Sequence, residues 1–350
     1  MIDPRTVLNG KMVLVTGGAG FIGSHLCDHL MGYGASVVCF DNLSTGSRQY
    51  VDSQKGNAKF SFVLGDANVV ADLEKVFRAR PVDYIFHYAA VVGVKRTNEK
   101  PLEVLNDLEG FKHIAALAYA HSAKKIVFSS SSEIYGQQKE VPFHEDMSYH
   151  DTRHPYALVK ATGESYFKSF SEVSGVPVVS LRFFNVYGPR QESSAYGFVT
   201  GIFISQVLMG MPPTIFRDGS QTRDFTYVDD NVEAAIQALV NPATDGEVVN
   251  VGTGIETSIA ELARKIIATS GHRLEPVFLR THNLAESPRR VAHTGKLTKL
   301  TGFECRMALD DGLKKTYDWY NAHKDRLLSK DKLSFEEYER GVWRPREKEA

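Results

Sequence analysis

The sequence predicts an α/β fold: a doubly wound parallel sheet with a smaller C-terminal lobe. Three observations carry that prediction. The chain opens with an apolar run, Met12-Val13-Leu14-Val15-Thr16, that enters a glycine-rich turn. Strand-like and helix-like segments then alternate through the first half, as repeated βα units do when they build a parallel sheet. After Arg182 the alternation gives way to a stretch, Asn185 to Asp224, rich in Gly, Pro, Ser and Tyr.

The first strand leads into Gly17, Gly20 and Gly23, spaced G-x-x-G-x-x-G, and then into a helical pattern, Ser24 to Tyr33, with Leu26 and Leu30 on one face. Strand, glycine turn and helix in that order form a pyrophosphate cradle. Gly17 permits the tight turn, Gly20 lets backbone approach phosphate, and Gly23 lets the helix sit close to the sheet. The spacing differs by one residue from the G-x-G-x-x-G dinucleotide fingerprint. A second strand, Ser36 to Phe40, ends in Asp41, whose carboxylate can accept both adenosine ribose hydroxyls and would repel a 2′-phosphate. The expected cofactor is therefore NAD rather than NADP.

Further strands are expected at Phe60–Leu64, Tyr84–His87, Lys125–Ser129 and Pro177–Leu181, separated by helices at Ala71–Ala79, Pro101–Ser122 and Pro155–Ser174. Beyond Arg182 come helices at Phe198–Met209, Asp230–Leu239, Ser258–Ser270 and Leu309–His323, and strands at Phe225–Val228 and Val248–Val251. The predicted division is a dinucleotide-binding domain over 1–184, with segments returning to it at about 225–252, and a substrate lobe over 185–224 and 253–345. From Lys324 on, the charged sequence predicts a solvated tail.

Bulk properties narrow the function. A chain of 350 residues can bury a large core. Its 41 basic and 42 acidic residues leave a net charge of −1, which gives no basic surface for nucleic acid. Cys27, Cys39 and Cys305 and the twelve histidines show no metal-ligand spacing. Buried thiols, no apolar leader and no run of membrane-spanning length predict a cytoplasmic protein with no membrane association.

Tyr156-Ala157-Leu158-Val159-Lys160 opens the helix Pro155–Ser174 and sets Tyr and Lys four apart on one face. An ammonium beside a phenol stabilises the phenolate, bringing a group of ordinary pKa about 10 toward use as a general base.

Together these residues resemble the extended short-chain dehydrogenase/reductase family, specifically its NAD-dependent nucleotide-sugar epimerases and dehydratases, which have a Rossmann domain. The resemblance covers Lys11 to Tyr320. It includes Gly65-Asp66, His87-Tyr88-Ala89-Ala90, Asn106, Phe183 to Arg190 and Asp218 to Phe225. It implies that Phe21, Ile22, Asn42, Asp66, Ala67, Ala89, Ala90 and Asn106 join the glycines, Asp41, Tyr156 and Lys160 around NAD. It also implies that Ser131 hydrogen-bonds the sugar 4-hydroxyl, that Tyr156 takes that hydroxyl's proton, and that Lys160 holds the nicotinamide ribose. Ser131, Ser132, Asn185, Arg190, Arg223, Arg289 and Arg290 are then the substrate-binding residues. Guanidinium groups suit the diphosphate because they offer forked, permanently charged donors.

The subclass turns on Ser131-Ser132-Glu133. Within the resemblance, 4,6-dehydratases carry Thr-Asp-Glu here, and Ser132 is a poor acid for expelling a 6-hydroxyl. UDP-glucuronate decarboxylases show Thr-Ser-Glu, which makes Glu133 a candidate catalytic residue. His154-Pro155-Tyr156-Ala157 and Phe184 to Gln191 instead resemble the epimerase forms. The expectation is a C4 epimerase of a UDP-hexose or its N-acetyl or uronate derivative, with a UDP-glucuronate decarboxylase-type enzyme or a sugar 4,6-dehydratase using Glu133 as the alternative. A third reading, a dinucleotide-sensing protein without chemistry, would be expected to lack the Tyr156/Lys160 pair. The resemblance also implies a homodimer built on the helices 101–122 and 155–174, with Leu117, Tyr119, Phe167 and Phe170 facing outward or into the core.

Overall fold

The computed structural model describes residues 1–92, 97, 99–148, 154–191, 198–279 and 287–327. Its centre is a parallel sheet of seven strands: β1 (Met12–Thr16), β2 (Ser36–Asp41), β3 (Phe60–Leu64), β4 (Tyr84–His87), β5 (Lys125–Ser131), β6 (Val178–Phe183) and β7 (Val248–Val251). Across the sheet they run β3-β2-β1-β4-β5-β6-β7. The order reverses between β1 and β4, so a crevice opens at the carboxyl ends of these two neighbours.

Strand side chains alternate between two cores, as a period of two requires. Val13, Val15, Val37, Cys39 and Val127 point to one, which the helices Phe21–Gly32 and Val228–Val240 cover. Leu14, Val38, Phe40, Ile126 and Phe128 point to the other, covered by Val70–Ala79, Asp107–Ala120 and Pro155–Ser174. The last of these starts with Pro155 in its first turn, where a missing N–H is harmless, and stops at Gly175 with φ +75°.

The structure departs from the sequence expectations in four places. The helix expected over Pro101–Ser122 is two, Pro101–Leu105 and Asp107–Ala120, joined through Asn106, which keeps helical dihedrals (φ −64°, ψ −20°), and the Asp107 carboxylate accepts the Val91 N–H at 2.8 Å. Of the residues left open between an outer face and the core, Leu117 and Phe167 are core while Tyr119 is exposed. Phe225–Tyr227 stays out of the main sheet and pairs in parallel with Asn185–Tyr187; only β7 returns, beside β6. Leu327 is buried, so the chain remains packed past Lys324. Residues 328–350, the rest of the expected tail, lie outside the described residues.

A polar network not foreseen from the sequence ties β5, β6 and β7 to the helix Pro155–Ser174. Arg182 donates through Nε (2.9 Å) and Nη2 (2.8 Å) to the two oxygens of Glu164, and Ser130 donates to the same carboxylate. Arg182 Nη1 also donates to the Tyr135 hydroxyl at 2.8 Å, which in turn donates to Asn250 Oδ1 at 2.6 Å.

A second cluster clamps the helix Phe21–Gly32 to Val228–Val240. His29 lies 3.6 Å from Asp229 and 3.9 Å from Glu233, and His25 lies 3.4 Å from Asp229. Burial pushes the His29 pKa down, but its bonds to Asp229 and Glu233 overcome this and raise it to about 9. A pKa raised on folding stabilises fully below the unfolded value, about 6.5, and the contribution fades as pH climbs through the folded value. His29→Gln is therefore expected to remove stability that the parent shows at pH 6 and has lost by pH 10. Urea unfolding at the two pH values measures it; an equal loss at both would refute the clamp.

Candidate active site

The carboxyl ends of the strands on both sides of the switch point open into a cavity of about 1210 Å³. Its floor is the glycine turn. Gly17 has φ +69°, and a Cβ there would sit 2.8 Å from the Ala89 nitrogen. A Cβ on Gly23 would lie 2.1 Å from the Gly17 carbonyl oxygen. Side chains are thus excluded where the helix Phe21–Gly32 begins, and its first N–H groups face the cavity side of the turn.

Asp41, at the end of β2, lines the same cavity and is oriented by the N–H groups of Ala19 (3.0 Å) and Leu43 (2.7 Å). Burial raises its carboxyl pKa, with those two amides opposing. Phe21, Ile22, Asn42, Asp66, Ala67, Ala89 and Ala90 also line the wall, and Asn42 donates to Asp66 at 3.0 Å. A cradle closed to side chains at a helix N-terminus, with a carboxylate lining the cavity at the next strand end, fits a dinucleotide. Asn106 reaches the cavity only as an exposed residue; its neighbour Asp107, which sequence reasoning passed over, is the buried one. The spacing gave no signal for it; its inward placement shows only in its burial and its bonds from Val91 and Asn68.

Thr16 fixes the wall after β4. Its hydroxyl oxygen accepts the N–H groups of Tyr88 and Ala89, both at 3.1 Å, and stands 2.9 Å from His87 Nδ1. With its oxygen occupied by two donors, the hydroxyl donates to Nδ1, and the imidazole proton sits on Nε2. Burial pushes His87 down to about 3, so it is a neutral structural ring at ordinary pH.

At the far side stand the predicted acid/base residues. Ser131 ends β5, and Tyr156 and Lys160 rise one turn apart on the helix Pro155–Ser174; all three line the cavity. Lys160 is buried, donates to the Ser129 carbonyl at 2.7 Å and lies 5.7 Å from the Tyr156 ring centroid. Burial lowers its pKa to about 8, with the Asp107 charge opposing. Burial also holds the Tyr156 phenol well above its ordinary value, while its hydrogen bond with Ser131 pulls it down. The site can therefore exchange a proton at the Tyr156 oxygen, with a cation and a hydroxyl arranged around it.

Residues 13–252 match the NAD dependent epimerase/dehydratase family. The chain belongs to that family. It is 36% identical over 324 residues to a UDP-N-acetyl-alpha-D-glucosaminuronate decarboxylase of Bacillus cytotoxicus, covering 89% of this chain and 98% of that one. It is 36% identical over 309 residues to a UDP-glucose 4-epimerase of Mycolicibacterium smegmatis, covering 88% and 97%. Among solved structures, the Thermus thermophilus UDP-glucose 4-epimerase in complex with NAD superposes with a TM-score of 0.80 at 31% identity, covering 88% and 98%. The cofactor of this epimerase/dehydratase family member is NAD, which supplies a hydride acceptor when bound in the cradle.

The residues expected to hold substrate do not all converge. Ser131, Ser132, Asn185 and Arg290 line the cavity, and so does Glu133. Arg290 grips Glu133 with both guanidinium nitrogens, the longer bond being 3.0 Å. Burial raises the Glu133 pKa, but Arg290, with help from Arg223 and His154, brings it below its ordinary value, so the group is a carboxylate. Arg223 is buried behind the cavity surface and donates to the carbonyls of Thr222 (2.8 Å) and Ser287 (3.1 Å). Arg190 is bound to Asp28 at 2.7 Å and Arg289 to Glu256 by two bonds of 2.6 Å; neither lines the cavity. Sequence motifs marked these arginines as cations near the site but carried no information on their carboxylate partners. Among the described residues no cluster suited to a metal ion occurs, and no helix is long and apolar enough to cross a membrane.

Proposed function

We propose that this enzyme is a C4 epimerase of a UDP-hexose or its N-acetyl or uronate derivative. The observation that carries the reading is the convergence of Ser131, Tyr156 and Lys160 on the cavity that the glycine turn floors. Ser131 holds the sugar 4-hydroxyl and Tyr156 takes its proton as C4 is oxidised. Lys160 keeps positive charge beneath the phenolate. Rotation of the 4-keto sugar about its diphosphate presents the opposite face, and Tyr156 returns the proton when C4 is reduced. Asn185 and Arg290, which line the cavity, meet the nucleotide-sugar end, Arg290 while still paired with Glu133, and the relatives acting on UDP-sugars support that substrate class.

The test is mass spectrometry and proton NMR of UDP-glucose, UDP-N-acetylglucosamine and their uronates after incubation with enzyme and NAD. Unchanged mass with new anomeric signals establishes the epimerase and names the sugar. A second reading, decarboxylation of a UDP-uronate, is favoured by the ionised Glu133 in the cavity and by the Bacillus cytotoxicus relative. Glu133→Gln separates the two. For an epimerase, turnover stays within about tenfold, since the acid/base pair is untouched; for a decarboxylase that uses the carboxylate, CO₂ release falls by about 10²-fold or more.

A further inference from the structure

We propose that Arg190 is a positioning residue for cofactor retention: it clasps the segment after β2 over one end of the cavity and so slows the escape of NAD. The role depends on NAD as the cofactor and not on which sugar is turned over.

The clasped segment is residues 42–47, between β2 and the short helix Arg48–Asp52. Asn42, Ser44 and Thr45 line the cavity and are exposed, so this segment is its outer wall at the Asp41 end. It passes close over the Asp41 carboxylate, where a Cβ on Gly46 would come within 2.8 Å of Oδ1. Three bonds pin it from the inside. Asn42 donates to Asp66, the Leu43 N–H to Asp41, and the Ser47 N–H to the Ala19 carbonyl at 2.9 Å.

The outer hold comes from a distant part of the chain. The Arg190 guanidinium stands over the Tyr50 ring, 5.4 Å from its centroid, and the Tyr50 hydroxyl donates to the Arg190 carbonyl at 3.4 Å. The same guanidinium donates to Asp28 Oδ2 at 2.7 Å, and Gln54 donates to the other oxygen, Oδ1, at 2.8 Å. Asp28 lies on the helix Phe21–Gly32 that starts at the glycine turn, and His25 of that helix donates through Nε2 to the Pro189 carbonyl at 2.9 Å. Cradle helix, wall segment and the Pro189–Arg190 turn therefore meet at one point. Arg190 holds a left-handed backbone, φ +67°, which disfavours a residue with a side chain and persists where the surroundings over-determine it. Its guanidinium meets the helix and the ring and not the cavity. For the wall to swing outward and open this end, the ion pair and the ring contact must both break. Both are partly exposed, with 25% of the Arg190 and 31% of the Asp28 side chain accessible, so each is worth a few-fold and the two together about tenfold.

The deciding measurement is the rate at which radiolabelled NAD, bound to the full-length protein, exchanges with excess unlabelled NAD. Arg190→Gln is expected to raise that rate about tenfold. Asp28→Asn keeps an oxygen for Gln54 but removes the charge that holds Arg190, and is expected to raise it by a smaller factor. The double variant should exchange no faster than Arg190→Gln alone, because the two residues act through one contact. Arg78→Gln breaks an ion pair with Glu74 on the helix Val70–Ala79, away from the wall segment, and should leave the rate at the parental value. Urea unfolding of the NAD-free proteins separates retention from a merely structural role, which would lower the midpoint without moving the exchange rate. Parental exchange in Arg190→Gln, or an equal acceleration in Arg78→Gln, overturns the proposal; if Arg190→Gln does not fold, Asp28→Asn decides it on the same terms. The exchange needs no sugar, so its outcome stands apart from any failure of the epimerase reading.

Discussion

Tyr156→Phe stops turnover while the protein keeps its NAD. The substitution removes one oxygen and leaves the ring, which stays 5.7 Å from the Lys160 ammonium, and the helix Pro155–Ser174 keeps its packing. What is lost is the atom proposed to take and return the sugar proton, and general acid/base groups contribute about 10²–10⁴-fold in rate. Lys160 does not take over, because its bond to the Ser129 carbonyl points the ammonium at the strand end. His87 does not either, being neutral and walled among Phe111, Phe128 and Phe167. Two measurements check this: product formation by NMR, and NAD released on denaturing the purified variant. Parental activity would sink the mechanism; loss of NAD would move Tyr156 from chemistry to cofactor retention.

The largest effect on stability is expected at Glu164. Both partners of the Glu164–Arg182 pair are 3% exposed at the side chain, and the carboxylate accepts three donors. Glu164→Ala leaves the guanidinium buried without its carboxylate, which costs about 3–5 kcal/mol. Exchanging both residues together for apolar ones of similar volume is expected to cost far less, because the uncompensated charge disappears with its partner. Urea unfolding of Glu164→Ala and of the double variant Glu164→Leu/Arg182→Met makes the comparison. If the two lose equal stability, the pair is a packing feature and not an electrostatic one.

The sheet and the cradle were legible because they obey local rules. An apolar run ending in glycines has few alternatives, and Tyr and Lys four apart on a helix must share a face. The parallel doubly wound sheet and the NAD cofactor followed from those patterns together with the family resemblance, and Ser131, Tyr156 and Lys160 do line one cavity. What stayed hidden depends on partners distant in the chain. Arg190 and Arg289 were expected to bind substrate, but they do not line the cavity and are held by Asp28 and Glu256. Glu133 and Arg290 are 157 positions apart, and nothing in either motif announces the other. Asp107 was missed for a third reason: positions 106 and 107 are adjacent polar residues on one helical path, and only the bonds from Val91 and Asn68 show that 107 is the buried one.

The place of β7 bears on how the protein is made. Val248–Val251 completes the sheet beside β6, yet some sixty residues that mostly build the other lobe lie between them. On a ribosome adding roughly 5–20 residues per second, β6 waits several seconds with one edge uncovered, and an open strand edge is a template for mispairing. Asn250 also waits: until it arrives, Tyr135 lacks the acceptor for its hydroxyl. The nucleotide-binding half therefore cannot mature as an independent unit ahead of the rest, and a fragment ending before β7 should need a chaperone or aggregate. Evolutionary exchange of the segment between β6 and β7 is correspondingly constrained, since any replacement must hand the chain back at the same edge of the sheet.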